Sequence, residues 1–455
     1  MKLESKYLVN LSIITTFFIW TDLIFNYSFP IHQLLLILTL ILTGIYYIKN
    51  KKELRKVDFF KNKLNKILFV LLNLYIALDL VGILYSPVKK YSLTKYVVIG
   101  QMYILFILLI VNIRTKENLD KLFAAIGLGS IITAVSTFLA YFGVINLYIP
   151  FYGRMCLIPD YNLSATTILI GVFVLILLII RTVQKPIRKI VFIGIISFLT
   201  IPVVYNGDSR RGVMLLLMSS VLVGIYLICD FYKKQQINFK IILALSLSVL
   251  IVTSSSLVLN KVLKNMSEKG IILNENTAKD DKTLELEKGH DIAGRYKSIY
   301  KGGALSKRKA IWDISIREVK TYSIKDLFIG KGSGYSSYIY VAKYSKDIQN
   351  LYKNNEEPVL GGSHPHNLFL VDILDGGIIK LLVEGSIWII ILLQILHLIK
   401  FNKNIFIMSG IVWICIFSNC LISGRYGFIY FKEFWLFACI TCLLMYCEKM
   451  KLIDN

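Results

Sequence analysis

Apolar positions along the chain gather in long runs. Runs of about 20 apolar residues, the length that crosses a hydrocarbon core of roughly 30 Å as helix, lie near 7–27, 31–48, 67–86, 96–113, 122–143, 164–180, 190–205, 212–229, 241–259, 376–400, 405–421 and 428–446. They predict an all-α polytopic membrane protein with about twelve transmembrane helices. The first two runs are separated by the short turn Asn26–Pro30, and the seventh contains Pro202. No internal repeat is visible.

One stretch breaks the rhythm. Residues 260–366, 107 in all, contain no spanning run and form a single large loop between the ninth and tenth spans. Its first half (SEKGIILNENTAKDDKTLELEKGH) is charged and low in aromatics, a composition that predicts mobile chain. Its second half is ordered in character. Trp312, Ile316 and Val319 share one helix face, Gly330–Gly334 reads as a turn, and Tyr335, Tyr338, Tyr340 and Tyr344 follow it. The chain therefore divides into a membrane part with nine spans over 1–259, the loop over 260–366, and a surface helix with three further spans over 367–455.

Composition supports the membrane reading. Hydrophobic residues make up 56% of the chain, against about 45–50% in soluble proteins. The formal charge of +23 could suggest nucleic acid, but its distribution excludes that. Lys and Arg concentrate between alternate spans, and the segment Lys49–Lys66 alone holds eight. The short loops on the opposite side hold only Lys89, Lys90, Lys95, Arg154, Arg210, Arg211 and Arg425. Basic residues in short loops mark the cytoplasmic side, so both termini are expected inside and the long loop outside. Part of the inner segment, 57–66, suits a short amphipathic helix on the membrane surface. The seven cysteines form no metal or disulfide pattern and read as small buried hydrophobes. The first run lacks a cleavage site after it and reads as a retained span.

Chemistry is sought among polar groups at the outer face. Arg154 and Asn162 precede the sixth span, Ser209-Arg210-Arg211-Gly212 opens the eighth, Arg308 and Trp312 lie in the loop, His364-Pro365-His366-Asn367 precedes the surface helix, and Arg425 precedes the last span. Guanidinium groups offer a planar fork of donors that matches phosphate and never lose their charge. Fixed cations here suit an anionic ligand at headgroup level, such as a diphosphate on a lipid carrier; alternatively they snorkel to lipid headgroups. His366 is a candidate general base for a sugar hydroxyl; alternatively it caps the helix or pairs with Asp372 or Asp375. His364-x-His366 offers two metal ligands without a third. Gly330–Gly334 lacks the strand and the Gly-Lys-Ser/Thr ending of a nucleotide loop. Within the spans Asp22, Asp79, Lys380, Glu384, Lys432 and Glu433 are ionisable but form no obvious chain, and Lys380 and Glu384 stand one turn apart and should pair.

These residues, in this order, resemble the O-antigen ligase and O-antigen polymerase (Wzy-like) superfamily of bacterial envelope proteins. The likeness covers about residues 120–445 and rests on Arg154 with Pro159-Asp160-Tyr161-Asn162, on Ser209-Arg210-Arg211-Gly212, on Arg308-x-x-x-Trp312 with Leu327–Gly332, and on His366-Asn367-x-x-Leu370 with Asp375-Gly376-Gly377. Lys380 displaces the second glycine of the last motif, and the first four spans carry no motif. The resemblance implies a metal-independent, cofactor-free, inverting glycosyl transfer from a polyprenyl-diphosphate-linked oligosaccharide. It would occur at the outer face of a bacterial cytoplasmic membrane, in the company of membrane lipid and other polysaccharide assembly proteins. It assigns the diphosphate to Arg154 and Arg210 with help from Arg211 or Arg308, and the base to His366. Asn162, Ser209, Trp312, Asn367, Asp375 and Arg425 would support substrate or structure. A polymerase is preferred, with a ligase or a flippase for the same lipid-linked units as alternatives. A transporter would be expected to show inverted repeats and midplane binding groups, whereas here the polar groups crowd one face.

The orientation is directly testable. A reporter fused near Asn354 should read as extracytoplasmic; a cytoplasmic readout would overturn the placement of the long loop.

Overall fold

Without water to satisfy them, backbone N–H and C=O groups in hydrocarbon must bond within their own segment, which selects the helix. The computed structural model describes residues 4–25, 31–52, 61–149, 154–158, 160–207, 209–233, 239–268, 303–352, 358, 360, 364–423 and 430–451. Among them the secondary structure is helical and no β-strand occurs. The helices used below are α1 (Ser5–Trp20), α2 (Asp22–Phe25), α3 (Ile31–Lys49), α4 (Lys63–Leu84), α5 (Lys89–Asn112), α6 (Lys116–Tyr141), α7 (Tyr161–Thr182), α8 (Pro186–Asn206), α9 (Arg210–Lys233) and α10 (Phe239–Glu268). They continue with α11 (Gly303–Val319), α12 (Ile324–Ile329), α13 (Tyr335–Ala342), α14 (Ser345–Tyr352), α15 (Leu368–Leu398), α16 (Lys403–Ser423) and α17 (Lys432–Lys451).

Ten of these helices are long and apolar enough to cross a membrane. The chain is thus an all-α, membrane-embedded protein. The expected runs 7–27 and 428–446 are not among the ten. α1 is only 16 residues long, and α17 carries Lys432 and Glu433 at its start and Glu448, Lys449 and Lys451 at its end. α10 also runs past residue 259 to Glu268, since no Gly or Pro interrupts the sequence before Gly270. The charged half of the long loop lies outside the described residues, as do Arg425, Pro159 and residues 57–60.

The chain forms two compact units. The first comprises Met1–Tyr46, Asn112–Tyr296 and Asn402–Cys415. At its centre is α7, buried along almost its whole length. Small residues let helices approach it closely: a Cβ on Gly127 would strike Leu175, and one on Gly171 would strike Ser130 and Trp20. Such contacts suit helix packing in lipid, where close approach replaces the hydrophobic effect. Side-chain hydrogen bonds join the same helices. Trp20 Nε1 donates to Ser130 Oγ at 2.7 Å, and Asn112 Nδ2 donates to Ser12 Oγ at 2.9 Å and to Thr43 Oγ1 at 3.2 Å. The helix α8 continues through Pro202, and Asn206 Nδ2 donates to the Pro202 carbonyl at 2.7 Å.

The second unit comprises Tyr47–Val111, Lys297–Phe401 and Ile416–Asn455. Its axis is α15 packed on α4. A polar ladder ties them to α17: Gln394 Nε2 donates to Asn65 Oδ1 at 2.8 Å, and Thr441 Oγ1 donates to Gln394 Oε1 at 3.0 Å. Trp388 packs edge-on against Phe417 and Phe434.

The helix α15 is broken at Gly377, whose φ of 68° lies in the left-handed region. A short helix over 368–376 therefore precedes the long one. The break frees the carbonyls of Leu374 and Asp375, and the glycine loop takes them: Lys331 N donates to Leu374 O at 3.1 Å and Gly332 N to Asp375 O at 2.9 Å. Gly330 (φ 70°) and Gly377 sit where backbones touch, since a Cβ on Gly330 would collide with the Asp375 carbonyl and one on Gly377 with Phe328. Only glycine combines that backbone conformation with that proximity.

Beyond the loop, α11, α13 and α14 enclose Ile311, Ile314, Ile339, Tyr340, Ile348 and Leu374. Beside this small core the carboxylate of Glu318 is fully buried and ringed by donors. Lys343 Nζ lies at 2.5 Å, Tyr335 OH at 2.6 Å, Lys331 Nζ at 3.0 Å and Tyr344 OH at 3.1 Å. Burial alone would raise its pKa, but the bonds from Lys343, Tyr335 and Lys331 outweigh that and bring it from 4.5 down to about 2. A carboxyl with a depressed folded-state pKa stabilises the fold above its unfolded pKa, and that contribution fades as pH falls toward the folded value. Hydrogen exchange in 303–352 should accelerate as pH drops from about 4.5 to about 2, after correction for intrinsic rates. Glu318→Gln should flatten that dependence; an equally steep variant would show that Glu318 does not set it.

Candidate functional site

The expected site residues divide between the two units. In the first, the segment 154–158 lies against the end of α8, with Met155 N donating to Asn206 O at 3.1 Å. This places Arg154 beside the start of α7, its guanidinium 4.6 Å from the centre of the Tyr161 ring. Asp160 caps α7 by accepting from Leu163 N at 3.0 Å. Ser209 stands before α9, accepts from Gly212 N at 2.9 Å and donates to Asn162 Oδ1 at 2.8 Å. Gly212 is needed here because a Cβ would press on Ala165 of α7. Arg210 and Arg211 open α9, with Arg211 half-buried and the Arg210 side chain outside the described residues. Arg154, Asn162 and Ser209 are thus gathered with the first turn of α9, whose dipole favours an anion.

In the second unit, Asn367 caps the short helix by accepting from Leu370 N at 3.2 Å. The alternative in which His366 is the cap is therefore not what the structure adopts. His366 has φ 51°, the one positive value outside glycine among the described residues. A non-glycine residue in this region is uncommon and worth a functional explanation. Its ring lies 3.9 Å from that of His364, centre to centre. Asp375 is structural in its contacts: its two oxygens accept from Gly334 N at 2.9 Å and Ser336 N at 2.6 Å, holding the start of α13. Arg308 lies half-buried on α11, one turn before Trp312. No hydrogen-bond partner for the Trp312 indole N–H occurs among the described residues. Arg425 lies outside the described residues.

The glycine loop cannot serve a phosphate. Its N–H groups are already spent: Gly330 on Asp326, Lys331 and Gly332 on the break in α15, Ser333 on Gly82 at 3.2 Å, and Gly334 on Asp375. Among the described residues no group of three or more His, Cys, Asp or Glu side chains is arranged to hold a metal ion.

A cluster that was not anticipated lies beneath the short helix. Lys380, 2% exposed, reaches Asp79 Oδ1 at 2.6 Å and Asp372 Oδ1 at 3.2 Å. It does not form the simple one-turn pair expected with Glu384. Tyr75 OH donates to both Asp372 oxygens at 2.6 Å, Ser333 Oγ donates to Asp79 Oδ1 at 2.9 Å, and Trp388 Nε1 donates to Glu384 Oε1 at 3.2 Å. The available signal was the set of Asp79, Lys380 and Glu384 within apolar runs, because ionisable groups there need partners. Asp372 and Tyr75 gave no comparable warning: one sat in a segment expected at the surface, the other among many tyrosines.

Comparison of the chain with protein-family models and with curated proteins gives no match. The fold and these sites define a membrane-embedded helical protein with, among the described residues, polar groups gathered at helix starts and an ionic cluster around Lys380.

Removing one partner of a buried ion pair leaves an uncompensated charge and costs about 3–5 kcal/mol. Lys380→Met should destabilise the purified protein by that order in thermal unfolding, and adding Asp79→Asn should recover part of the loss. A single variant as stable as the parent would show that the pair contributes nothing.

Proposed function

We propose that the protein is a membrane glycosyltransferase of the O-antigen polymerase type. It extends a polysaccharide by moving sugar chains from polyprenyl-diphosphate carriers to a lipid-linked acceptor sugar at the outer side of a bacterial cytoplasmic membrane. On this reading the chain crosses the membrane about twelve times, both termini are cytoplasmic, and the long loop is external. The observation that carries it is His366, held in a left-handed backbone conformation beside His364 and just before the Asn367 cap. A residue kept in a costly conformation is one whose side chain must point in a particular direction.

In this mechanism His366 takes the proton from an acceptor hydroxyl, and the oxygen attacks the anomeric carbon of the donor. The bond from that carbon to the diphosphate oxygen breaks, the diphosphate leaves with both bonding electrons, and configuration inverts. Arg154 and Arg210 bind the diphosphate, with Arg211 or Arg308 assisting, so the leaving group needs no proton. Asn162 and Ser209, hydrogen-bonded to each other at the starts of α7 and α9, support substrate or structure beside these arginines. A ligase that transfers the chain to another acceptor would use the same steps.

A second reading, a flippase for the same lipid-linked units, is favoured by one observation. Lys380, Asp79 and Asp372 form a charged group within helices long enough to span, as transporters require.

Loss of a general base typically costs about 10²–10⁴-fold in rate. Cells carrying only His366→Ala should lose long polymer on a gel, at unchanged protein level, while single lipid-linked units persist outside. Accumulation of those units on the inner leaflet in a strain lacking the protein would instead support the flippase. Normal polymer in His366→Ala would remove the base from the mechanism.

A further inference from the structure

One short helix of the long loop carries more apolar surface than the protein covers. Four of the six residues of α12 are large and apolar (Ile324, Leu327, Phe328 and Ile329), and none of the six is buried. Ile324 is 80% exposed and Phe328 49%. The helix is nevertheless fixed at both ends. Ser323 accepts from Asp326 N at 3.1 Å, and Gly330 N donates to Asp326 O at 2.7 Å. Apolar side chains held out on an ordered helix are costly to leave in water, and such patches mark contact with a partner or a membrane.

Two contacts give the depth of this helix. The part of α15 after the break, 378–398, is about 30 Å long at 1.5 Å per residue, which matches the thickness of a hydrocarbon core. Gly377 therefore stands at one edge of that core. α12 leans on this edge, since a Cβ on Gly377 would strike the Phe328 backbone. The spanning helix α4 ends at the same level. Its last residue is Leu84, and the next residue, Tyr85, donates its hydroxyl to Ile329 O at 2.9 Å. The two spans leave Leu84 72% and Leu382 65% exposed here, as side chains that meet lipid should be. Tyr85 is of the type enriched at membrane interfaces. Lys320 and Lys325 are also exposed. A lysine stem lies along apolar surface while its ammonium reaches the polar layer.

We propose that α12 is a membrane wedge. Ile324 and Phe328 enter the leaflet at the Gly377 edge, and Lys320 and Lys325 meet the phosphates of lipid headgroups. Lipid is the occupant rather than a protein, because the helix already stands at bilayer depth with cations beside its apolar residues. Gly330 follows α12 directly, so lipid contact also holds the loop that fills the break in α15 at the bilayer edge. The wedge does not depend on the glycosyl-transfer reading, since bulk lipid is its partner and no sugar takes part.

The test uses the full-length protein in nanodiscs of phosphatidylethanolamine and phosphatidylglycerol. A benzophenone amino acid is encoded singly at position 324, 328, 346 or 382, and peptides are weighed by mass spectrometry after irradiation. Positions 324 and 328 should gain phospholipid adducts, as position 382 on the span does, and position 346 on α14 should gain none. Ile324→Asp, at a side chain that touches little of the protein, should fold as the parent does and exchange amide hydrogens faster over 324–330. Adducts at 382 without any at 324 and 328, chain-to-chain crosslinks in place of lipid, or equal adducts at 346 would overturn the wedge. Unchanged exchange in Ile324→Asp would overturn the hold of lipid on the loop.

Discussion

The second unit depends on what happens at Gly377. A helix that breaks inside a membrane protein leaves carbonyls without their usual donors, and hydrocarbon offers none. Here the Leu374 and Asp375 carbonyls are taken by the N–H groups of Lys331 and Gly332, while the Asp375 side chain takes Gly334 and Ser336. The glycine loop therefore does for the break what the next turn of helix would have done. Its three glycines could be nothing larger, since Gly330 faces the Asp375 carbonyl, Gly332 faces Gly82 and Ser86, and Gly334 faces Ser92.

From that junction the remaining features follow. The short helix ahead of the break is capped by Asn367 and preceded by the strained His366. Its inner side places Asp372 against Tyr75 and Lys380, so the same few turns carry both a candidate base and a buried ionic cluster. Ser333 bridges the two ends of the arrangement: its hydroxyl donates to Asp79, and its carbonyl accepts from Ser86 and Ser92. Substitution within this region should be felt in several places at once, because the hydrogen bonds share partners.

The first unit solves a different problem with simpler means. Close packing through Gly127, Gly129 and Gly171 and hydrogen bonds among Ser, Thr, Asn and Trp side chains hold helices that lipid would not otherwise drive together. The same economy shapes the start of α9, where one serine both caps the helix and steadies Asn162.

Sequence alone determined the class of protein. The length of the apolar runs predicts helices that span, because that property is local and additive along the chain. Ten of the expected spans have helices that meet the requirement, and the two end runs do not because one helix is short and the other has charged ends. Sequence also singled out Arg154, Asn162 and Ser209 as polar residues at span ends, which the fold gathers in one place. Tertiary structure decided the rest. Tyr75 meets Asp372 across 297 positions and Lys380 meets Asp79 across 301. No periodicity reports such pairings, because a charge in an apolar run announces that it needs a partner without saying which. The choice between continuing and breaking α15 was likewise not local: two glycines permit the break, but only the N–H groups of a loop more than forty residues earlier make it stable.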